Sequence, residues 1–298
     1  MFRLHCLVND IVKGKTIPLY ILISSVGLLL FSGCKRQNQD RYSSPPGYNL
    51  ERPTIIKLPP YLDEISGIAF YPKDKSIMAI NDEKGWLYKI FTTGNMPIQK
   101  WKYTKGSDFE DLVLHDSTFY VLESGGRIGS FSFVNKDSVH FTEHKLPVPG
   151  KNEFEILYHD EKANQLVMLC KDCEVDDKNS LTSWGYDLGA QQFKVEPYYV
   201  IDVRKIEALM NEKKVKFKPS AAAIHPLTGD LFIISSINKV MVVADRTGNP
   251  KALYRLNPAL YKQPEGMTFT PDGHLLISNE SADIGAANIL LFKYNKAK

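Results

Sequence analysis

The chain repeats itself. QPEGMTFTPDGHLLISNE, from Gln263, reads as a polar start, a short apolar strand, a Pro-Asp-Gly turn and a second apolar strand ending in polar residues. LDEISGIAFYPKDKSIMAINDE from Leu62, SDFEDLVLHDSTFYVLES from Ser107, NEFEILYHDEKANQLVMLCKD from Asn152 and KPSAAAIHPLTGDLFIISS from Lys218 follow the same scheme. Their turns carry Pro, Asp, Asn or Gly, which supply the backbone angles of a tight reversal. The position held by Glu64, Glu110, Glu155, Ser220 and Glu265 recurs at intervals of 46, 45, 65 and 45 residues. A period of about 40–50 residues made of short strands is that of a β-propeller blade.

The remainder of each period fits two further strands. WLYKIF and IQKWKYT follow the first pair, RIGSFSF and VHFTEHKL the second, KVMVVAD and KALYRL the fourth. The last repeat holds only ILLFKY before the chain ends, so its blade lacks an outer strand. PTIIKL (residues 53–58) can supply it and close the ring with both ends of the chain in one blade. The expected fold is all-β: a five-bladed β-propeller of four-stranded blades over residues 53–298. The 65-residue interval is about 20 residues longer than the others and holds VDDKNSLTSWGYDL and DVRKIEALMNEKK. In the second, Val203, Ile206, Leu209 and Met210 recur at helical spacing. This predicts a short amphipathic helix between blades three and four, either a cover for the rim or a lid or partner surface.

The N-terminus has a different character. Arg3, Lys13 and Lys15 precede an uncharged apolar run from Ile17 to Phe31 and then Ser32-Gly33-Cys34. That is a basic segment, an apolar stretch short for a membrane span, and a small-residue cleavage site. LLLFSGC resembles a lipobox, which implies that residues 1–33 are removed and that Cys34 carries the lipid of a bacterial lipoprotein. Lys35 after the cysteine, rather than Asp, fits sorting to the outer membrane. Residues 35–52, KRQNQDRYSSPPGYNLER, are polar and rich in Pro and Ser, so 34–52 reads as the lipidated cysteine and a flexible tether. An uncleaved signal anchor is the competing reading. The formal net charge is +3, too small to argue for nucleic acid or another polyanion.

Of the four cysteines, Cys6 lies in the leader and Cys34 at the anchor. Cys170 and Cys173, in LCKDCE, form a small disulfide loop, stay free, or serve a redox or metal site. A thioredoxin-like site needs the pair at a helix start, whereas this pair follows a strand.

In a propeller the first strand of each blade lines the central channel, and the second strand returns to the same mouth. Glu64, Glu110, Glu155 and Glu265 are therefore expected around one opening, with Ser220 in the fourth blade. Asn81, Asp82, Glu123, Lys171, Asp172, Asn279 and Glu280 are expected near it. Carboxylates converging on an axis raise one another's pKa values, and loss of water raises them further. Protonation, a basic partner such as Lys171 or Arg127, or a bound cation relieves this. Ca²⁺, with about six to eight oxygen ligands in flexible geometry, suits such a set; Zn²⁺ prefers His and Cys, absent from these positions. Each Glu otherwise serves as a hydrogen-bonded joint to the next blade. His115, His159, His225 and His274 fall in or beside turns at the opposite mouth, where solvation is expected. No GxSxG, HExxH or GxxxxGK[ST] is present, so these routes to a serine hydrolase, a zinc protease or an NTPase lack their motifs.

EISGIAF and the NDE after it, DFEDL, ESGGRI and PEGMTF are similar to stretches of the SdiA-regulated, YjiK-like proteins, over about residues 55–296. The resemblance implies a five-bladed propeller with a calcium site at the central opening. It carries to Glu64, Glu110, Glu155 and Glu265 as ligands, with Asn81, Glu123 and Asn279 behind them. It implies no reaction. Three readings follow: a calcium-binding envelope propeller that recognises a small molecule or a protein at its mouth, a calcium-dependent hydrolase of an ester, lactone or phosphoester, and a purely structural lipoprotein. Replacing Cys34 with Ser is expected to release the protein from membranes; retention in the membrane fraction favours the uncleaved anchor.

Overall fold

The structure is a computed structural model that describes residues 42–93, 96–135, 138–281 and 286–296. Cys34 and the leader lie outside the described residues. Among those described, no helix is long and apolar enough to cross a membrane.

Strand β1 (Thr54–Lys57) comes first. Blade one is β2 (Ile65–Tyr71), β3 (Ser76–Asn81), β4 (Trp86–Ile90) and β5 (Gln99–Lys102); blade two is β6 (Phe109–His115), β7 (Thr118–Glu123), β8 (Arg127–Asn135) and β9 (Ser138–Lys145). Blade three is β10 (Asn152–Asp160), β11 (Gln165–Cys173) and β12 (Ser180–Asp187), with an outer edge shared by β13 (Gln192–Phe193) and β14 (Tyr199–Asp202). Helix α1 (Val203–Met210) then leads to blade four: β15 (Ala221–Ile224), β16 (Leu231–Ser235), β17 (Val240–Ala244) and β18 (Pro250–Arg255). Blade five is β19 (Pro264–Phe269), β20 (Leu275–Asn279) and β21 (Asn288–Phe292), closed by β1. β1 runs antiparallel to β21, with Thr54 opposite Leu291 and Lys57 opposite Asn288. The inner strands β2, β6, β10, β15 and β19 neighbour one another around the ring. The architecture is the five-bladed propeller that the repeat requires.

Apolar residues on both faces of each sheet form five clusters, one between every pair of adjacent blades. This follows from blade geometry: a middle strand such as β20, LLISN, is buried on both sides, so it reads as continuously apolar. The long third repeat is explained by the split outer edge of blade three and by α1. Asp202 caps the helix by accepting from the Arg204 amide, and Asn211 ends it in the left-handed conformation. Val203, Ile206 and Met210 enter the cluster between blades three and four, whereas Leu209 stays 40% exposed. The helix therefore covers an inter-blade core.

The expectation of a flexible tether through residue 52 fails for the described part of that segment. Leu50 is buried in the cluster between blades four and five, and its carbonyl accepts from the Tyr261 hydroxyl at 2.9 Å. The Tyr48 hydroxyl donates to the Gly273 carbonyl at 2.5 Å, and the Asn295 amide to the Gly47 carbonyl at 2.8 Å. Asn257 holds Glu51 at 3.0 Å. Polar composition concealed the few apolar side chains that dock. Leu50→Ala is expected to cost about 2–4 kcal/mol, lowering Tm by roughly 5–10 °C for a domain of this size; an unchanged Tm returns the segment to the tether.

Candidate functional site

The local feature that builds the site is a bulge at the start of the inner strands. Pairing with the second strand slips between Phe109 and Asp111, between Phe154 and Ile156, and between Pro264 and Gly266. The skipped residues are Glu110, Glu155 and Glu265. A bulge residue leaves the ladder and is re-aimed, and here all three line a cavity of about 480 Å³ at one end of the channel. In blade four Ser220 immediately precedes the first paired residue, Ala221, and it lines the cavity too.

Blade one requires a correction. There the pairing slips between Ile65 and Ile68, so the residue equivalent to the three glutamates is Ser66, and Glu64 stands two positions earlier. Glu64 still lines the cavity, but from outside the ring of equivalent positions. That ring is Ser66, Glu110, Glu155, Ser220 and Glu265. Gly67 and Gly266 follow it because the next inner strand is close: a Cβ on Gly67 would stand 2.3 Å from the Leu112 nitrogen, and one on Gly266 2.5 Å from the Ser66 carbonyl oxygen.

The ends of the second strands give a further set. Asp82, Lys171, Ser236 and Glu280 line the cavity. Asn81, Glu123 and Asn279, one or more positions earlier, do not; they are buried behind its wall. The alternation of side chains along a strand explains this. The Asn279 amide donates to the Leu260 carbonyl at 3.2 Å and to Asn288 at 3.1 Å. Glu123 accepts from the Ser107 hydroxyl at 2.9 Å and pairs with Arg127 at 3.1 Å. The Arg127 guanidinium also faces Glu143 on the outer strand, at 3.7 Å. Asp172 pairs with Lys218 at 2.7 Å. The periodicity gave no sign of Asp108, Lys218, Lys239, Lys262 or Gln263, which also line the cavity. All lie in the polar segments between strands, where charged residues carry no pattern.

The joints between blades use other groups. Asp111 accepts from the Leu157 amide of blade three at 2.9 Å and from the Leu112 amide at 2.8 Å. The Ser66 hydroxyl donates to the Phe109 carbonyl at 3.1 Å, and that of Ser220 to the Pro264 carbonyl at 2.7 Å. The two serines of the ring thus each brace the next blade. No such backbone contact engages Glu110 or Glu265 among the described residues.

Electrostatics separates the acids. Lys171 pairs with Glu153 at 2.8 Å and with Glu155; burial opposes its charge, but those bonds outweigh it and raise its pKa. Burial also leaves Glu155 raised, against the pull of Lys171. Burial, with Glu155 and Asp108 nearby, pushes Glu110 up from 4.5 to about 8. Burial, Glu155 and Glu280 push Glu265 well above the usual range. Glu280 rises to about 7 through burial and the charge of Asp82, and Asp82 to about 6 through burial and the charge of Glu64. Among the described residues no ion pair engages Glu64, Asp82, Glu110, Glu265 or Glu280. Oδ1 of Asp82, Asn81 and Asn279 is buried without a hydrogen-bond partner.

These oxygens suit a hard cation in kind. They are not drawn together: among the described residues the metal-ligating group with atoms within 4.8 Å of one another is Cys170, Cys173 and Asp176. There the two sulfurs are joined in a disulfide, which leaves no thiolate for a metal. The disulfide spans the irregular end of strand β11 where the pairing slips past Lys171.

The opposite end of the channel is a second cavity, about 600 Å³, whose lining includes the apolar Leu112, Leu157 and Met267 together with His159, Asp116 and Glu161. His225 is not solvated as its turn position suggested. It is 1% exposed, packs among Tyr48, Phe269 and Tyr294, and accepts from the Leu227 amide at 3.1 Å.

No protein-family model matches the chain, and no curated protein matches it. Solved structures do. The glutaminyl cyclase of Myxococcus xanthus is similar with a TM-score of 0.55 at 11% identity, over 81% of this chain and 94% of that one. A glucose dehydrogenase is similar with a TM-score of 0.50 at 11% identity, over 82% of this chain and 100% of that one. A luciferin-regenerating enzyme reaches a TM-score of 0.48 at 9% identity, over 82% and 96%. At such identities the likeness is one of fold, a β-propeller that enzymes also use.

The raised carboxyl groups set a pH dependence. Each binds its proton more tightly in the folded than in the unfolded chain. Its contribution to stability is therefore complete below the unfolded value and is lost as pH rises through the folded value. Metal-free protein is expected to lose stability between about pH 5 and about pH 8, with Glu110→Gln flattening the loss. Chemical denaturation across that range checks it; equal slopes in both proteins contradict the charge placement.

Proposed function

We propose that this chain is a cell-envelope lipoprotein of the SdiA-regulated, YjiK-like kind, anchored through Cys34 to the outer membrane. Its propeller holds Ca²⁺ at the charged mouth and recognises a ligand there. The observation that carries the reading is the set Glu64, Asp82, Glu110, Glu265 and Glu280. These carboxylates line one cavity without an ion-pair partner among the described residues. A divalent cation relieves what otherwise requires protonation, and oxygen donors alone match the preference of Ca²⁺. Holding an ion there would require these side chains to draw closer and to release their protons, which would couple occupancy to stability.

A hydrolase is the second reading, and one observation favours it. Glu280 and Asp82 line the same cavity with pKa values near 7 and 6, the range in which a carboxylate serves as a general base.

For an ion that binds only the folded state, stabilisation is RT ln(1 + [L]/Kd), or about 2.7 kcal/mol at a hundredfold excess over Kd. Calcium is expected to raise Tm at neutral pH by roughly 5–10 °C. The gain should shrink near pH 4, where protons occupy the same oxygens, and Glu110→Gln or Glu265→Gln should reduce it. An ester, lactone and phosphatase panel run on the same samples, with and without chelator, separates recognition from hydrolysis. A Tm indifferent to calcium in protein first shown to be metal-free removes both readings and leaves the structural lipoprotein.

A further inference from the structure

The cavity is charged unevenly. Blades one, two, three and five each bring at least one carboxylate to it, and blade four brings none. Blade four contributes Lys218, Ser220, Ser236 and Lys239. At the ring position filled by glutamate in three blades it has Ser220, a neutral hydroxyl engaged with the Pro264 carbonyl and the Ser236 amide.

One cation of this wall has no ion-pair partner among the described residues. Lys218 faces Asp172 across 2.7 Å. The Lys239 ammonium donates to the Lys262 carbonyl, and among the described residues no carboxylate lies within ion-pair reach of it. Burial lowers its pKa, and the charge of Glu265 opposes this. The Lys239 side chain is partly buried, and an anion beside its ammonium would favour the charged form. Among the described residues the lining contains no arginine, so none of them offers the planar two-point grip of a guanidinium. Lysines and a hydroxyl act instead as point donors around a compact oxyanion.

We propose that the blade-four wall is an oxyanion subsite, in which Lys239, Lys218 and Ser236 take the anionic group of the ligand while the carboxylates across the cavity take its positive charge. The ligand is thus a small dipolar molecule, or an anion bridged to a cation, with phosphate or carboxylate as its anionic end. This rests on the proposed recognition at the mouth and names its ligand class. Ser220 matters to the assignment, since a glutamate there would put a negative charge into the one blade that brings no carboxylate to the cavity.

The test uses full-length protein in chelator, with inorganic phosphate and citrate as probes in separate arms. Competitive acetylation read by mass spectrometry reports each lysine, and calorimetry reports affinity. At least one probe is expected to slow acetylation of Lys239 while leaving Lys251, on the outer strand of the same blade, unchanged. Whichever probe protects identifies the anion as phosphate or carboxylate. Lys239→Met and Ser220→Glu should each weaken binding about tenfold, the loss of one charge-assisted contact. Failure of both probes to protect Lys239, or unaltered affinity in Lys239→Met, overturns the subsite. Calcium stabilisation is measured on the same preparation. If it persists without anion binding, only the subsite falls; if the anion protects Lys239 where calcium has no effect, only the calcium reading falls.

Discussion

The constraint on which this molecule depends is the crowding of five strand starts around one axis. Each inner strand must pack against two neighbours, closely enough that Gly67 and Gly266 have no room for a side chain. The bulges at Glu110, Glu155 and Glu265 reconcile that packing with the ladder by expelling one residue per strand toward the channel. What is expelled decides what the mouth can do. A serine turns to the next blade and braces it, as Ser66 and Ser220 do. A glutamate is longer, carries charge into a partly dry space, and meets its equivalents there.

The inter-blade joints and the carboxylates that line the cavity are thereby separate groups at nearly the same place. Asp111 sits beside Glu110 in sequence, yet it is buried and bonded to two amides, one of them in the next blade. Glu110 has no backbone partner among the described residues and shares the cavity with other acids. Among the described residues the hydrogen bonds that join one blade to the next here run through Asp111, Ser66 and Ser220 rather than through Glu110 or Glu265. Blade four breaks the pattern and turns a ring of acids into a cavity with an acidic arc and a basic wall.

Much of this was legible in the residues. The period gave five blades because a strand–turn–strand unit buried on both faces needs an apolar run and a turn at fixed spacing. The short last repeat required β1 to close the ring. Glu110, Glu155 and Glu265 were legible because each stands directly before an apolar strand. Glu64 was misplaced by two positions because the slip in blade one covers both Ser66 and Gly67, and a bulge leaves no composition signal. Asn81, Glu123 and Asn279 were placed at the right end of the right strands but on the wrong face. Lys239 and Lys262 were invisible because nothing in a loop marks the direction of a lysine. The docked segment around Leu50 was hidden by its polar neighbours, and His225 by its turn position.

Burial and mutual charge keep the acids of this mouth from ionising, and we propose that a calcium ion reverses this. The most direct measurement is a carbon-13 NMR titration of the glutamate carboxyl groups in metal-free and calcium-loaded protein, assigned through Glu110→Gln and Glu265→Gln. Glu110 is expected to titrate near 8 in the metal-free protein, and to stay ionised through neutral pH once calcium is bound. Titration of Glu110 near the ordinary value of 4.5 in both samples would contradict it.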